Sequence, residues 1–197
     1  PNVMRRTVRL AIRHGVAIGA HPGYPDLPGF GRRNMHLAPD ELAASMLYQL
    51  GALEAMARAE GARLHHVKPH GALYNQAMVD ESIAAVLADA FASYDEQLLV
   101  FTMPDSALYE ACVRKGLRAA REGFADRLYG PDGKLVDRRL PGSILEDPRD
   151  VAQQALRLVR GGQIETICLH GDTPEALNLA RAVRRALEAE GVTLCPL

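Results

Sequence analysis

Apolar positions along the chain alternate between two periods. Val3, Val8, Leu10 and Ile12 recur at helical spacing over 2–14, and Gly15 suits a helix end. Over 16–21 the period drops to two: Val16, Ile18 and Ala20 share one face, and Ala17, Gly19 and His21 the other. A loop with three Pro and three Gly (22–33) leads to a helix from Pro39 to about Glu60, stopped by Gly61. A strand over 63–70 places Leu64, His66, Lys68 and His70 on one face, and its loop carries Gly71 and Asn75. The pattern then predicts a helix over 80–94, an apolar strand over 97–103, a helix from Pro104 to Gly116, and a strand over 117–122. Residues 128–146 have no clean period and read as a long functional loop. A helix from Asp147 to Arg160, a strand over 166–170, a helix from Thr173-Pro174-Glu175 to Glu190 and a last strand over 192–195 complete the order.

Helix and strand thus alternate about six times with short connections, which predicts a parallel α/β domain spanning 1–197. Doubly wound sheet and barrel both fit. The small or polar faces at 17/19/21 and 66/68/70 favour a (β/α) barrel, and six strands fall short of closing one. The chain opens on Pro1-Asn2-Val3-Met4 and enters a helical pattern at once, so a first strand is expected to be missing.

Composition changes this picture little. The 197 residues are 48% hydrophobic with net charge −1, and carry no basic block and no long apolar run. Nucleic acid and membrane are therefore disfavoured as partners. Three widely spaced cysteines (Cys112, Cys168, Cys195) read as reduced thiols of a cytoplasmic protein. No phosphate-cradling or dinucleotide glycine pattern is present, so the chain shows no recognisable ATP site of its own.

The chemistry-bearing residues gather at predicted strand ends, where parallel α/β folds place ligands: His21; His66, Lys68 and His70; Glu122, Asp126 and Arg127; His170 and Asp172. Three titratable side chains on one strand face do not make a core. Imidazoles with a carboxylate could hold a divalent metal, with His21, His70 and His170 as ligands. Without metal, the same set supplies acid–base groups and an oxyanion-stabilising Lys68. Each also has a structural reading: a hydrogen-bonded strand-end His21, an outward His65, and Asp126-Arg127 as a loop-fixing salt bridge.

Gly19-Ala20-His21-Pro22-Gly23-Tyr24-Pro25-Asp26 with Gly29-Phe30-Gly31-Arg32, His66-Val67-Lys68-Pro69-His70-Gly71-Ala72-Leu73-Tyr74-Asn75, Glu122-Gly123-Phe124-Ala125-Asp126-Arg127-Leu128-Tyr129 and Cys168-Leu169-His170-Gly171-Asp172 resemble the LamB/YcsF family, in order over nearly the whole chain. That family comprises the A subunit of the prokaryotic ATP-dependent 5-oxoprolinase. The resemblance implies a deacetylase-like TIM-type barrel of about seven strands, whose first strand precedes Pro1. It implies ring opening of 5-oxo-L-proline to L-glutamate coupled to ATP (with Mg²⁺) hydrolysis, alongside partner subunits B and C. Lys68, His70, His170 and Asp172 are then expected to be catalytic, and His21, His66, Asn75, Asp126 and Arg127 to bind substrate. A homo-oligomer of the chain stays open as a further assembly. Family members also carry a longer segment where Gly162-Gln163-Ile164 here runs into Glu165. A stand-alone metal-dependent amidohydrolase or deacetylase, and a non-catalytic lactam-binding subunit, are the alternative readings.

Overall fold

A computed structural model describes residues 1–173 and 175–197. The elements alternate as the pattern requires: α1 (Asn2–Arg13), β1 (Ile18–Ala20), α2 (Pro39–Ala59), β2 (Leu64–Val67), α3 (Gly71–Ala77), α4 (Glu81–Tyr94), β3 (Leu99–Thr102), α5 (Ala107–Arg114), β4 (Ala119–Phe124), α6 (Pro148–Arg160), β5 (Thr166–Cys168) and α7 (Ala176–Ala189). Among the described residues these are five strands and seven helices, an α/β fold whose strand pairs are parallel. The chain divides into two compact units, Pro1–Ala120 and Arg121–Leu197.

Local chemistry starts several helices where expected. Asp80 accepts from the backbone N–H groups of Ser82 and Ile83, Ser106 from that of Tyr109, and Asp147 from that of Arg149. Each satisfies a donor that the first turn of a helix leaves over. Pro39 and Pro148 sit in the opening turns of α2 and α6, where a missing N–H costs nothing.

In the first unit, Gly19 pairs with His66 and Ala20 with Val67; His66 and Val67 pair in turn with Leu99 and Val100. Helices α2 to α5 cover this sheet with Met46, Leu50, Leu73, Leu87, Phe91 and Leu108, all fully buried. Each such side chain gains about 1.5–3 kcal/mol by leaving water. In the second unit, Gly123 pairs with Ile167 and Phe124 with Cys168. Val151, Ala155, Leu179, Val183 and Leu187 from α6 and α7 form its core with Ala125.

Three expectations need correction. The predicted strand over 192–195 does not form: the Val192 N–H closes α7 by bonding the Leu187 carbonyl, and Leu194 and Cys195 lie exposed without a ladder partner. The segment after His70 is the short helix α3 rather than a loop, because its Ala72, Leu73, Tyr74 and Ala77 supply a helical buried face. The strand expected over 63–70 ends at Val67, although Lys68 N–H still donates to Ala20 O (2.9 Å) and His70 N–H to Pro22 O (2.8 Å). The expected Pro at the start of α7 is Pro174, which lies outside the described residues.

Candidate functional site

The register of β1 on β2 decides what happens to the first histidine. Gly19 faces His66, and a Cβ at Gly19 would collide with His66 Nε2, so the imidazole occupies the space a side chain would take. The ring also stacks on Phe101, with centroids 4.2 Å apart and planes 8° from parallel. Burial, followed by the charges of His65 and Lys68, pushes the His66 pKa down to about 4. His66 is therefore neutral at pH 7, a polar wall rather than a charge.

Further along the same strand ends, His21 and His70 meet. His21 Nδ1 lies 2.7 Å from Lys68 O, His70 Nε2 lies 2.7 Å from Phe30 O, and His21 Nε2 lies 2.9 Å from His70 Nδ1. The rings stand edge to face at 81°. The Lys68 ammonium sits 5.6 Å from the centroid of the Tyr74 ring.

The loop that delivers these acceptors is held at several points. Phe30 has φ 54°, a left-handed conformation rare for a residue with a Cβ, and this aims its carbonyl at His70. Gln49 on α2 grips Gly23 twice, accepting from its N–H (3.0 Å) and donating to its carbonyl (2.9 Å). Asp26, 4% exposed, accepts from the backbone N–H groups of Gly29 and Arg33 and from the Arg33 guanidinium. That guanidinium bond, working against burial, holds the Asp26 carboxyl below its ordinary range. Gly71, at φ +59°, has no room for a Cβ beside Gly31 O, which accepts from Ala72 N–H. Nothing in the sequence singles out Gln49, which acts through backbone recognition, and Phe30 stands in the family motif without a role, because it acts through its own carbonyl.

The second unit builds a different centre. Asp126 is fully buried and accepts from the backbone N–H of His170 (2.7 Å) and from its Nδ1–H (3.0 Å). Burial raises the Asp126 pKa, but the hydrogen bond and charge of His170 with backbone donors outweigh it, and the net shift is downward. Nδ1–H donation fixes the His170 tautomer with Nε2 as its basic nitrogen. Gln154 on α6 holds the strand end by donating to Phe124 O (2.8 Å), Ala125 O (3.1 Å) and Arg127 O (2.6 Å). Tyr129 OH accepts from Phe124 N–H (2.7 Å), and burial foremost pushes its own pKa up to about 12. Gln154 is not marked by any sequence motif, and Tyr129 stands at the end of one without a role assigned to it.

Of the expected site residues, the first unit brings together the His21 and His70 rings and the Lys68 carbonyl, with the Lys68 ammonium over Tyr74 and His66 stacked on Phe101; Asn75 lies exposed on α3. In the second unit Asp126 meets His170, while Asp172 is exposed in the following turn. Arg127 is turned toward the 128–146 loop, donating from Nη2 to Val136 O (2.7 Å) and from Nε to Ser143 O (3.4 Å). Among the described residues no three His, Cys, Asp or Glu side chains converge to hold a metal ion. His21 and His70 direct ring nitrogens at two carbonyls and at each other. No helix among the described residues is long and apolar enough to cross a membrane.

The whole chain, residues 1–197, matches the model of the LamB/YcsF family. It is 50% identical to the 5-oxoprolinase A subunit of Symbiobacterium thermophilum, over 98% of this chain and 79% of that one. It is 46% identical to the 5-oxoprolinase A subunit of Pyrococcus furiosus, over 100% of this chain and 82% of that one. Among solved structures, the lactam utilization protein from Thermus thermophilus superposes with a TM-score of 0.89 at 45% identity, covering 98% of this chain and 82% of that one.

Proposed function

The chain belongs to the LamB/YcsF family, and we propose that it works as the A subunit of an ATP-dependent 5-oxoprolinase, opening the lactam of 5-oxo-L-proline to give L-glutamate. The observation that carries this reading is the near-half identity to 5-oxoprolinase A subunits along essentially the whole chain. The parts of each centre are the parts such a reaction uses.

The substrate is a carboxylate next to a five-membered amide. Lys68 supplies a cation for that carboxylate or for the oxyanion that develops as the carbonyl is attacked. His70 and His170 are the acid–base groups. Asp126 keeps His170 in one tautomer, which is what a general base toward water requires. His66, neutral and stacked, shapes the wall, and Asn75, Arg127 and Asp172 contribute to substrate binding and catalysis from the neighbouring turns. ATP, with Mg²⁺, supplies the driving force for opening an unreactive amide, and its consumption belongs to the assembly with subunits B and C. The reading includes a barrel of about seven strands in one domain, a hydrolase acting on a cyclic amide, and a cytoplasmic location.

The test is glutamate formation from 5-oxoproline by the chain alone and with its B and C partners, with and without ATP. Turnover only in the complete mixture is expected. Turnover by the chain alone, without ATP, would transfer the assignment to a self-sufficient amidohydrolase. No turnover in any mixture would remove 5-oxoproline as the substrate.

A further inference from the structure

Helix α6 buries a polar side chain where an apolar one would pack. Val151, Gln154 and Ala155 share one face of the helix; Val151 and Ala155 are fully buried, and Gln154 is 6% exposed. A buried amide costs stability unless it is hydrogen-bonded. Gln154 Nε2 meets this condition by donating to the chain as it leaves β4. Phe124 O lies at 2.8 Å, Ala125 O at 3.1 Å and Arg127 O at 2.6 Å. Two hydrogens serve three carbonyls, so at least one hydrogen is shared. Carbonyls before and after Asp126 thus point at a single atom of α6.

Two groups that orient His170 hang from this gripped segment. The Asp126 carboxylate accepts from His170 N–H and Nδ1–H. The Phe124 ring lies against the His170 ring, with centroids 5.9 Å apart and planes 26° from parallel. The N–H groups of the same segment are tied elsewhere: Phe124 N–H to Tyr129 OH (2.7 Å) and Ala125 N–H to Cys168 O (3.1 Å). Gln154 supplies the opposite side of that hold, the carbonyl side.

We propose that Gln154 is a positioning residue for the His170 centre. Its amide fixes the backbone from which the Asp126 carboxylate and the Phe124 ring reach His170, and so keeps that imidazole in one tautomer and one orientation. It touches none of the reacting atoms and acts through Asp126. Its effect on turnover rests on the lactam-opening reading, whereas its effect on the orientation of His170 does not.

A purely structural role would tie α6 to β4 and nothing more. The two roles separate because the core of this unit also carries α6 through Val151, one turn away on the same face. Val151→Ala loosens the helix by losing apolar packing and leaves the three carbonyl contacts in place. Gln154→Met keeps the volume of the side chain and removes its N–H donors. Gln154→Glu keeps its length and, when ionised, turns an oxygen toward the carbonyls in place of the donor.

The experiment reads all three variants twice. In ¹⁵N NMR of the full chain labelled at histidine, at a pH where the ring is neutral, the unaltered chain and Val151→Ala should show His170 as the single Nδ1–H tautomer. Gln154→Met and Gln154→Glu should show a mixture of tautomers. In the complete assembly with ATP, the two Gln154 variants should lower kcat for 5-oxoproline, by up to about 10²-fold, the scale of a misplaced catalytic group, with little change in KM. Val151→Ala should lower thermal stability and leave kcat unchanged. An unaltered tautomer in both Gln154 variants overturns the proposal, and so does an equal loss of kcat in Val151→Ala. Failure of both Gln154 variants to fold while Val151→Ala folds also overturns it, since the amide would then hold the fold rather than the centre. A tautomer mixture in an assembly that never turns over 5-oxoproline supports the positioning role and overturns the substrate instead.

Discussion

The first unit holds its key imidazoles with backbone carbonyls and with each other, whereas the second holds one imidazole with a buried carboxylate. His70 is fixed by Phe30 O and His21, and His21 by Lys68 O; His170 is fixed by Asp126 at both its backbone N–H and its Nδ1–H. A carbonyl acceptor orients a ring without charging it. A carboxylate acceptor orients and also stabilises the imidazolium that forms when the ring takes a proton. The first arrangement orients its rings, and the second also suits its ring to receiving a proton. The difference also separates function from stability, because the carboxylate is buried and the imidazole pair is not.

Asp126→Ala against His70→Ala tests that separation most strongly. Each should lower turnover of the complete assembly by about 10²-fold or more, the range of a lost acid–base group. Asp126→Ala should also cost about 2–3 kcal/mol of stability, since it orphans two hydrogen-bond donors of His170. His70→Ala should cost less than about 1 kcal/mol, its partners being able to turn to water. Equal losses of stability in thermal unfolding would break the distinction.

Two glycines sharpen it next. A Cβ at Gly19 meets His66 Nε2 in a ring clamped between Gly19 and Phe101, so Gly19→Ala should destabilise by about 2–3 kcal/mol. A Cβ at Gly123 meets the ends of Leu158 and Ile164 at 3.1 and 3.2 Å. Those ends can move by tenths of an ångström, so Gly123→Ala should cost about 1 kcal/mol. Denaturant midpoints measure both, and a reversed order would mean that the His66 slot is looser than its packing indicates.

Much of this organisation was legible in the sequence, for reasons that differ by residue. The alternation of periods gave the five strands that form, since each is bounded by a helix with its own cap or glycine stop. Gly19 opposite His66 follows from the small face of 17/19/21 once the strands pair. The last predicted strand was wrong because Val192–Cys195 has strand composition but no ladder partner among the described residues, and composition does not supply one. The histidines were found because titratable residues at strand ends are conspicuous. The clamps were not: Gln49 and Gln154 are ordinary helix residues until a backbone amide or carbonyl is placed beside them.

Acid distinguishes the units by the pH at which each weakens. His66 has its pKa lowered to about 4, so the unfolded chain binds a proton near 6.5 that the folded chain refuses. Stability of the first unit is therefore present above 6.5 and falls as pH drops from 6.5 toward 4, by ~2 kcal/mol after allowing for the ring's partial exposure. Asp126 is also lowered, but as a carboxylate it contributes stability above its unfolded value near 4, lost only below that. Amide exchange followed from pH 7 to 3 should show β2 opening before β4 and β5. Simultaneous opening would mean that the two titrations are not felt locally.

The smallest effects concern what the acceptor is made of. Phe30 is 62% exposed and left-handed, and the group it offers His70 is a carbonyl that any residue carries. Phe30→Gly relieves about 1 kcal/mol of backbone strain and loses a similar amount to the freer unfolded chain. Stability should change by less than about 1 kcal/mol, and turnover by far less than the ~10²-fold expected at His70 itself. In the second unit the acceptor for Phe124 N–H is a side-chain hydroxyl, so Tyr129→Phe strands a buried donor and should cost about 1–2 kcal/mol. If Phe30→Gly proves the costlier of the two, the Phe30 ring, edge-on to His70 at 5.2 Å, rather than its carbonyl, is what holds the pair.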